Sequence, residues 1–160
     1  MNATIDSSIF VEAVSKKAVN QQLCVDLIKL IYTTKNISVY QPAVFLFEFV
    51  SAAIRQEKGN LAEKTKRLDN VLRICNAFIR RDGTYFIDIT VIDWRKWCSK
   101  KNALELHKSQ DEIFMLTAMS NNAILFTLDQ EMIYKPDCFM GKCEVCSPYE
   151  GLKLINKLKE

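Results

Sequence analysis

Apolar runs too short to be helices alternate along this chain with longer stretches of helical period, and that alternation is what most restricts its fold. Thr4-Ile5 ends the first run, and Ile37-Ser-Val-Tyr40 and Tyr85-Phe86-Ile87 make the next two. Ala123–Thr127 is the fourth, and Cys143–Cys146 is a candidate fifth. Between them, Ser7 or Ser8 opens a helix across Ile9 to Val14, and Val19, Leu23, Leu27, Leu30 and Ile31 recur at helical spacing. Pro42 closes the second strand or starts the helix read over Ala43–Lys58, which Gly59 ends. Leu61, Leu68, Leu72, Cys75 and Ile79 mark a long helix with a basic outer face of Lys64, Lys66, Arg67, Arg73 and Arg80. Asp82-Gly83 is a turn. Thr90-Val-Ile-Asp93 has the form of a helix start, and the helix it would open carries Trp94 and Cys98 on one side. Ser109 begins a helix to about Asn121, and Ser147-Pro148 supply the cap and first position of a last one. Strands alternating with helices predict an α/β fold, a three-layer α/β/α arrangement around a parallel sheet of four to five strands. At 160 residues, with no repeat, linker or low-complexity tract, one domain over 1–160 is expected.

Composition narrows the function classes. Apolar residues make up 49% and charged residues 26%, as in a soluble globular chain. No apolar run approaches the roughly 20 residues of a membrane span, so no membrane partner is expected. The N-terminus lacks a secretory pattern, and six cysteines without one predict reduced thiols and a cytoplasmic location. The formal net charge of +3 does not by itself select nucleic acid.

The acids are the informative residues. Asp6 sits between two apolar runs, followed by Ser7 and Ser8, and no basic residue comes before Lys16 and Lys17. Burying such an anion is costly unless hydrogen-bond donors or a cation await it, so Asp6 either caps the next helix or faces a metal ion. Glu48 lies in Val44-Phe-Leu-Phe-Glu-Phe-Val50, where Phe45, Phe49, Leu46 and Val50 crowd its side of a helix. Asp111 stands in Ser109-Gln-Asp-Glu112, a capping-box pattern that needs no function to explain it. Asp129 leaves the end of the Ala123–Thr127 strand, where a turn aspartate is ordinary. Taken together they read differently. Ligands of open α/β sheets sit beyond the carboxyl ends of the strands, and Asp6 and Asp129 each leave a strand there. An all-oxygen set without His or Cys suits a hard cation, Mg²⁺ or Mn²⁺, and hence metal-assisted phosphodiester cleavage.

Ile5-Asp6-Ser7-Ser8-Ile9-Phe10, the single Glu48 after a Pro-led helix start, Ser109-Gln-Asp111-Glu-Ile-Phe-Met-Leu-Thr-Ala118 and Leu125-Phe-Thr127-Leu-Asp129 together resemble the PIN domain in order and spacing. Ser147-Pro148-Tyr-Glu-Gly-Leu152 resembles that family's closing turn and helix. Within the family the chain looks most like the VapC-like ribonuclease toxins of prokaryotic toxin–antitoxin pairs. The resemblance implies a Mg²⁺- or Mn²⁺-dependent endoribonuclease with Asp6, Glu48, Asp111 and Asp129 as metal ligands. It implies that Ser8 and Thr127 hold the carboxylates or a water, with Glu131 further out. It also implies an RNA substrate, a small antitoxin partner and a homodimer. Lys96, Lys100, Lys101 and Lys108, close in chain order, are candidate phosphate contacts, although a solvated basic face explains each equally well. His107 is not needed as a base, and no Ser/His/Asp arrangement accompanies Ser7 and Ser8.

Two features depart from the plain family pattern. Cys138, Cys143 and Cys146 suggest zinc, yet no fourth ligand is near, and residues three apart on a strand point to opposite faces. The long basic helix over Leu61–Arg81 suits an antitoxin groove or dimer surface, or simple packing. An RNA-processing PIN nuclease without an antitoxin is the first alternative. A PIN-like RNA-binding or scaffold protein without turnover is the second, which the presence of all four acids argues against.

Overall fold

β1 (Asn2–Ile5) is the axis of the molecule, with Ala3 and Ile5 fully buried. The computed structural model describes residues 1–15, 18–55, 59–88, 109–134 and 143–158, with the backbone alone for 109–112. β2 (Ser38–Pro42), β3 (Thr84–Ile87), β4 (Ile124–Phe126) and β5 (Val145–Cys146) complete a five-stranded sheet of order β3-β2-β1-β4-β5. All its pairings are parallel, so helices must carry the chain back between strands. Among the described residues the helices are α1 (Ser7–Val14), α2 (Gln21–Thr33), α3 (Phe45–Arg55), α4 (Leu61–Ile79), α5 (Ser109–Ser120), α6 (Gln130–Tyr134) and α7 (Pro148–Lys157). Helices flank the sheet in the three-layer α/β/α arrangement read from the sequence, with five strands.

Helix bounds follow local chemistry. α1 opens at Ser7, and Asp6 is its cap, with a carboxylate that accepts from the Ser8 backbone N–H. Asn60 and Glu63 form a reciprocal capping box on α4, as do Ser147 and Glu150 on α7, where Pro148 takes the first helical position. Pro42 closes β2 rather than opening α3, which starts only at Phe45.

The predicted stripe of α2 holds at Leu27 and Ile31 and fails at Val19, while that of α4 keeps only Cys75 buried. Val19 is 96% exposed and precedes α2, whose buried face is Cys24, Leu27 and Ile31. On α4 the buried residues are Arg67, Val71, Cys75 and Phe78, whereas Leu61, Leu72 and Ile79 are exposed. Arg67 therefore leaves the basic outer face on which the sequence placed it. The reason is Phe78, which meets Phe10 of α1 edge-on at 4.9 Å and turns its own face of α4 inward. Phe10 also contacts Phe45 at 4.8 Å and Phe49 at 5.4 Å, which ties α1, α3 and α4 together. Phe114 of α5 meets Phe45 edge-on at 6.5 Å, so α5 is anchored to the same cluster.

Arg81 closes the far end. Its guanidinium donates to the carbonyls of Ile31, Tyr32 and Thr34 at the end of α2, to Ile37 before β2, and to Asp82. A buried cation thus satisfies carbonyls that a helix end leaves open. Burial draws the Arg81 pKa below its ordinary value, with Tyr32 and Asp82 opposing that. Gly83, at φ 79°, makes the turn into β3 that a side chain would strain.

Among the described residues, no helix is long and apolar enough to cross a membrane. The helix start read at Thr90–Asp93, with Trp94 and Cys98 after it, lies outside the described residues, as do His107, Cys138, Lys96, Lys100, Lys101 and Lys108.

Candidate functional site

β1 and β4 are neighbours, and the chain leaves them toward opposite edges of the sheet. In open α/β sheets such a switch point, at the carboxyl ends of the strands, is where ligands bind. Ile5 pairs with Phe126, and the Asp6 N–H donates to the Phe126 carbonyl at 2.9 Å. Asp6 and Thr127 therefore emerge side by side.

The Asp6 carboxylate is 4% exposed and is held on both oxygens. Oδ2 accepts the Ser8 hydroxyl at 2.7 Å and the Thr127 hydroxyl at 2.6 Å. Oδ1 accepts the Ser8 N–H at 3.2 Å and the Ser7 hydroxyl at 3.4 Å. These bonds, charge-assisted on the acceptor side, offset the desolvation of the anion. The N-terminus of α1 adds its favourable dipole. Asp6 thus caps a helix and also stands at the carboxyl edge of the sheet; the two roles are compatible.

Both hydroxyls are fixed from behind. Thr127 Oγ1 accepts the Asp129 N–H at 3.0 Å, and Ser8 Oγ accepts the Leu128 N–H at 3.4 Å. Asp129, half-buried, accepts the Glu131 N–H at 2.8 Å and so leads α6. One threonine hydroxyl, 121 residues beyond Asp6, thereby links Asp6 to Asp129. Glu131 contributes its backbone here and stands on the first turn of α6.

Glu48 lies on the first turn of α3, half-buried, on the helix whose Phe45 and Phe49 rings stack in the core. It borders a groove with Val44, Phe47, Ser51, Arg55 and Ile113. Ile113 belongs to α5, two residues beyond Asp111, so this groove brings the start of α3 beside the first turns of α5. The Asp111 side chain lies outside the described residues, while its backbone is in the first turn of α5. The described side chains therefore join Asp6 and Asp129 and place Glu48 on its own groove. Among the described residues, no three metal-ligating side chains gather in one cluster.

The start of α3 follows β2, that of α1 follows β1, and that of α6 follows β4. α5 runs back toward the start of β4, so it too begins at the carboxyl edge. Four helix N-termini carrying Asp6, Glu48, Asp111 and Asp129 thus border one edge of the sheet. Oxygen donors of this kind fit a hard divalent cation and not a soft one.

The described cysteines offer no competing centre. Cys143 Sγ donates to the Ala123 carbonyl and Cys146 Sγ to the Glu144 carboxylate, both at 3.7 Å. Burial pushes the two thiols up to about 11 and about 12, so neither is a thiolate near neutrality.

Three residues at the site escaped the sequence. Ser7 is a donor to Asp6. Phe47, 82% exposed, and Arg55 line the Glu48 groove. Phe47 is the legible one, because a helix that buries Phe45 and Phe49 must turn the ring between them outward.

No family model and no curated protein matches the sequence at a significant level. Solved structures do match. VapBC2 from Rickettsia felis, bound to a DNA fragment from its promoter, aligns with TM-score 0.60 and 16% identity over 92% of this chain and 98% of that one. FitAcB from Neisseria gonorrhoeae aligns with TM-score 0.63 and 16% identity over 93% and 99%. FitAB bound to an IR36 DNA fragment gives TM-score 0.62 and 15% identity over 93% and 96%.

The fold is the VapC-like PIN fold.

At these identities the likeness is one of fold, and it extends over nearly all of the neighbours' chains. On this PIN fold the carboxyl edge of β1 and β4 is where Asp6, Ser8, Thr127 and Asp129 meet.

Proposed function

We propose that this chain is a divalent-metal-dependent endoribonuclease and the toxin of a type II toxin–antitoxin pair. The observation that carries the reading is the buried Asp6 carboxylate, fixed by the Ser8 and Thr127 hydroxyls at the carboxyl edge of the sheet beside Asp129. A buried acid held this firmly at that edge is set up to receive a ligand in one orientation.

Asp6, Glu48, Asp111 and Asp129 would hold the cation, Mg²⁺ or Mn²⁺. When bound, such an ion neutralises charge on a phosphate and makes a water more acidic. The chain's own residues do the rest. Ser8 and Thr127 keep Asp6 from rotating. The backbone N–H groups of α1 and α3 favour an anion at that edge. Lys96, Lys100, Lys101 and Lys108 supply phosphate contacts along the RNA backbone.

The neighbours are VapBC and FitAB assemblies, and we extend that kind of partnership to this chain. The exposed Phe47 and Val44 beside Glu48 give a small antitoxin an apolar hold next to the acids.

The test is cleavage of total RNA with Mg²⁺ or Mn²⁺, with and without EDTA, comparing wild type with Asp6→Asn. Cleavage that requires the metal and is lost in Asp6→Asn is expected. Equal cleavage by the two proteins would overturn the assignment, and no cleavage by either would favour a binding role.

A further inference from the structure

A hydrogen-bond rung is missing from the sheet one residue before Asp6, and a side chain stands in for it. Along β2 the backbone N–H groups alternate in direction. Val39 donates to the Gly83 carbonyl at 2.7 Å, and Ala43, just past the strand, to the Ile87 carbonyl at 3.0 Å, both toward β3. Ser38 donates to the Met1 carbonyl at 2.9 Å, toward β1. Continuing that alternation brings residue 42 opposite the Ile5 carbonyl. Residue 42 is proline, which has no N–H to give. The β1–β2 register accordingly ends at Ala3 and Val39, while β2 stays paired with β3 as far as Pro42 and Ile87.

Gln41 fills the gap. Its side chain is fully buried. Its Nε2 donates to the Ile5 carbonyl at 2.9 Å, and its Oε1 accepts the Ile5 N–H at 3.4 Å. A carboxamide has the donor and acceptor of a peptide group, so it bonds Ile5 as a neighbouring strand would. A buried glutamine with both polar ends on a single residue grips that residue's peptide planes in a way an apolar filler does not.

Ile5 is the last residue of β1, and its carbonyl carbon is bonded to the Asp6 nitrogen. Asp6 is held on the other side by its N–H bond to Phe126. We infer that Gln41 is a positioning residue: it fixes the Ile5–Asp6 peptide from the β2 side and so sets the direction in which the Asp6 carboxylate leaves the sheet. Pro42 frees the end of β2 to turn into α3, which carries Glu48. Gln41 keeps that release from loosening Asp6. The inference rests on the proposed function only where it concerns metal and RNA, since the orientation of Asp6 can be read without either.

The experiment compares full-length wild type, Gln41→Met, which keeps the length and loses both polar groups, and Gln41→Asn, which withdraws the amide by one methylene. Three quantities are read: the ¹³C resonance of the Asp6 carboxyl, the Mn²⁺ dissociation constant, and kcat and KM on RNA. In both variants the Asp6 resonance is expected to move. The Mn²⁺ dissociation constant should rise about tenfold or more, as when groups that orient a metal ligand are removed. kcat should fall with KM little changed. Gln41→Asn provides the reading if Gln41→Met does not fold. An unmoved Asp6 resonance in a folded variant overturns the inference. A moved resonance in a chain whose wild type neither binds Mn²⁺ nor cleaves RNA sinks the nuclease reading and leaves the role of Gln41 standing.

Discussion

At the scale of single residues, the chemistry concentrates on one carboxylate oxygen. Asp6 Oδ2 accepts hydrogen bonds from the Ser8 and Thr127 hydroxyls at 2.7 and 2.6 Å. Thr127→Val keeps the shape and removes one donor to a buried charge. It also strips the Asp129 N–H of its acceptor. A loss of about 1.5–3 kcal/mol is expected in urea unfolding at neutral pH, with RNA cleavage falling alongside it. A variant as stable as wild type would mean the hydroxyl is not a principal support of Asp6. The acids are legible in the sequence because isolated charges in apolar runs are expensive and therefore conspicuous. Their partners are less so. Ser8 and Thr127 stand out only as neighbours of acids. Gln41 stays hidden because its role depends on Pro42 lying opposite Ile5, a relation that exists only once strand register is known.

Among elements, the ends of helices are easier to read than their faces. Ser147-Pro148 reads as the start of the last helix, and α7 begins there with Glu150 completing the box. Hydrogen bonds from the Ser147 N–H and hydroxyl hold the Glu150 carboxyl below its ordinary value. An acid whose folded value lies below its unfolded one adds stability at pH above the unfolded value, and that contribution disappears as pH drops through the folded one. Ser147→Ala should therefore cost about 1 kcal/mol near neutral pH. The gap to wild type should narrow as pH falls below the ordinary value of 4.5, which thermal unfolding at several pH values measures. Faces are harder. Sequence spacing draws the α4 stripe through Leu61, Leu68, Leu72, Cys75 and Ile79, yet of these the helix buries only Cys75, together with Arg67, Val71 and Phe78. Apolar residues lie on both sides of this helix, so its own period admits two faces, and the choice belongs to Phe10 on α1. The helix start at Thr90–Asp93 lies outside the described residues, whereas those at Ser7, Leu61 and Pro148 agree with caps visible in the chain.

For the molecule as a whole, stability and site share one framework. Phe10 is four residues past Asp6 and touches rings from α3 and α4. Phe10→Ala should destabilise the fold by about 3–5 kcal/mol, a large share of the roughly 5–15 kcal/mol a domain possesses. A midpoint shift at constant denaturant slope would show that the folded state and not the unfolded one has changed. The α/β class and the order of strands and helices follow from alternation alone, because a parallel sheet needs a return helix between strands. Sheet order does not follow, since no local signal says that β4 will lie beside β1. That placement has a consequence for synthesis. β1, made before the other described strands, is the middle strand of the sheet, and the Thr127 that secures Asp6 is added 121 residues after it. A chain still on the ribosome holds the acid without its holder. Any activity that depends on Asp6 waits until β4 and Thr127 have been made, so truncated products that stop before β4 are expected to be inert.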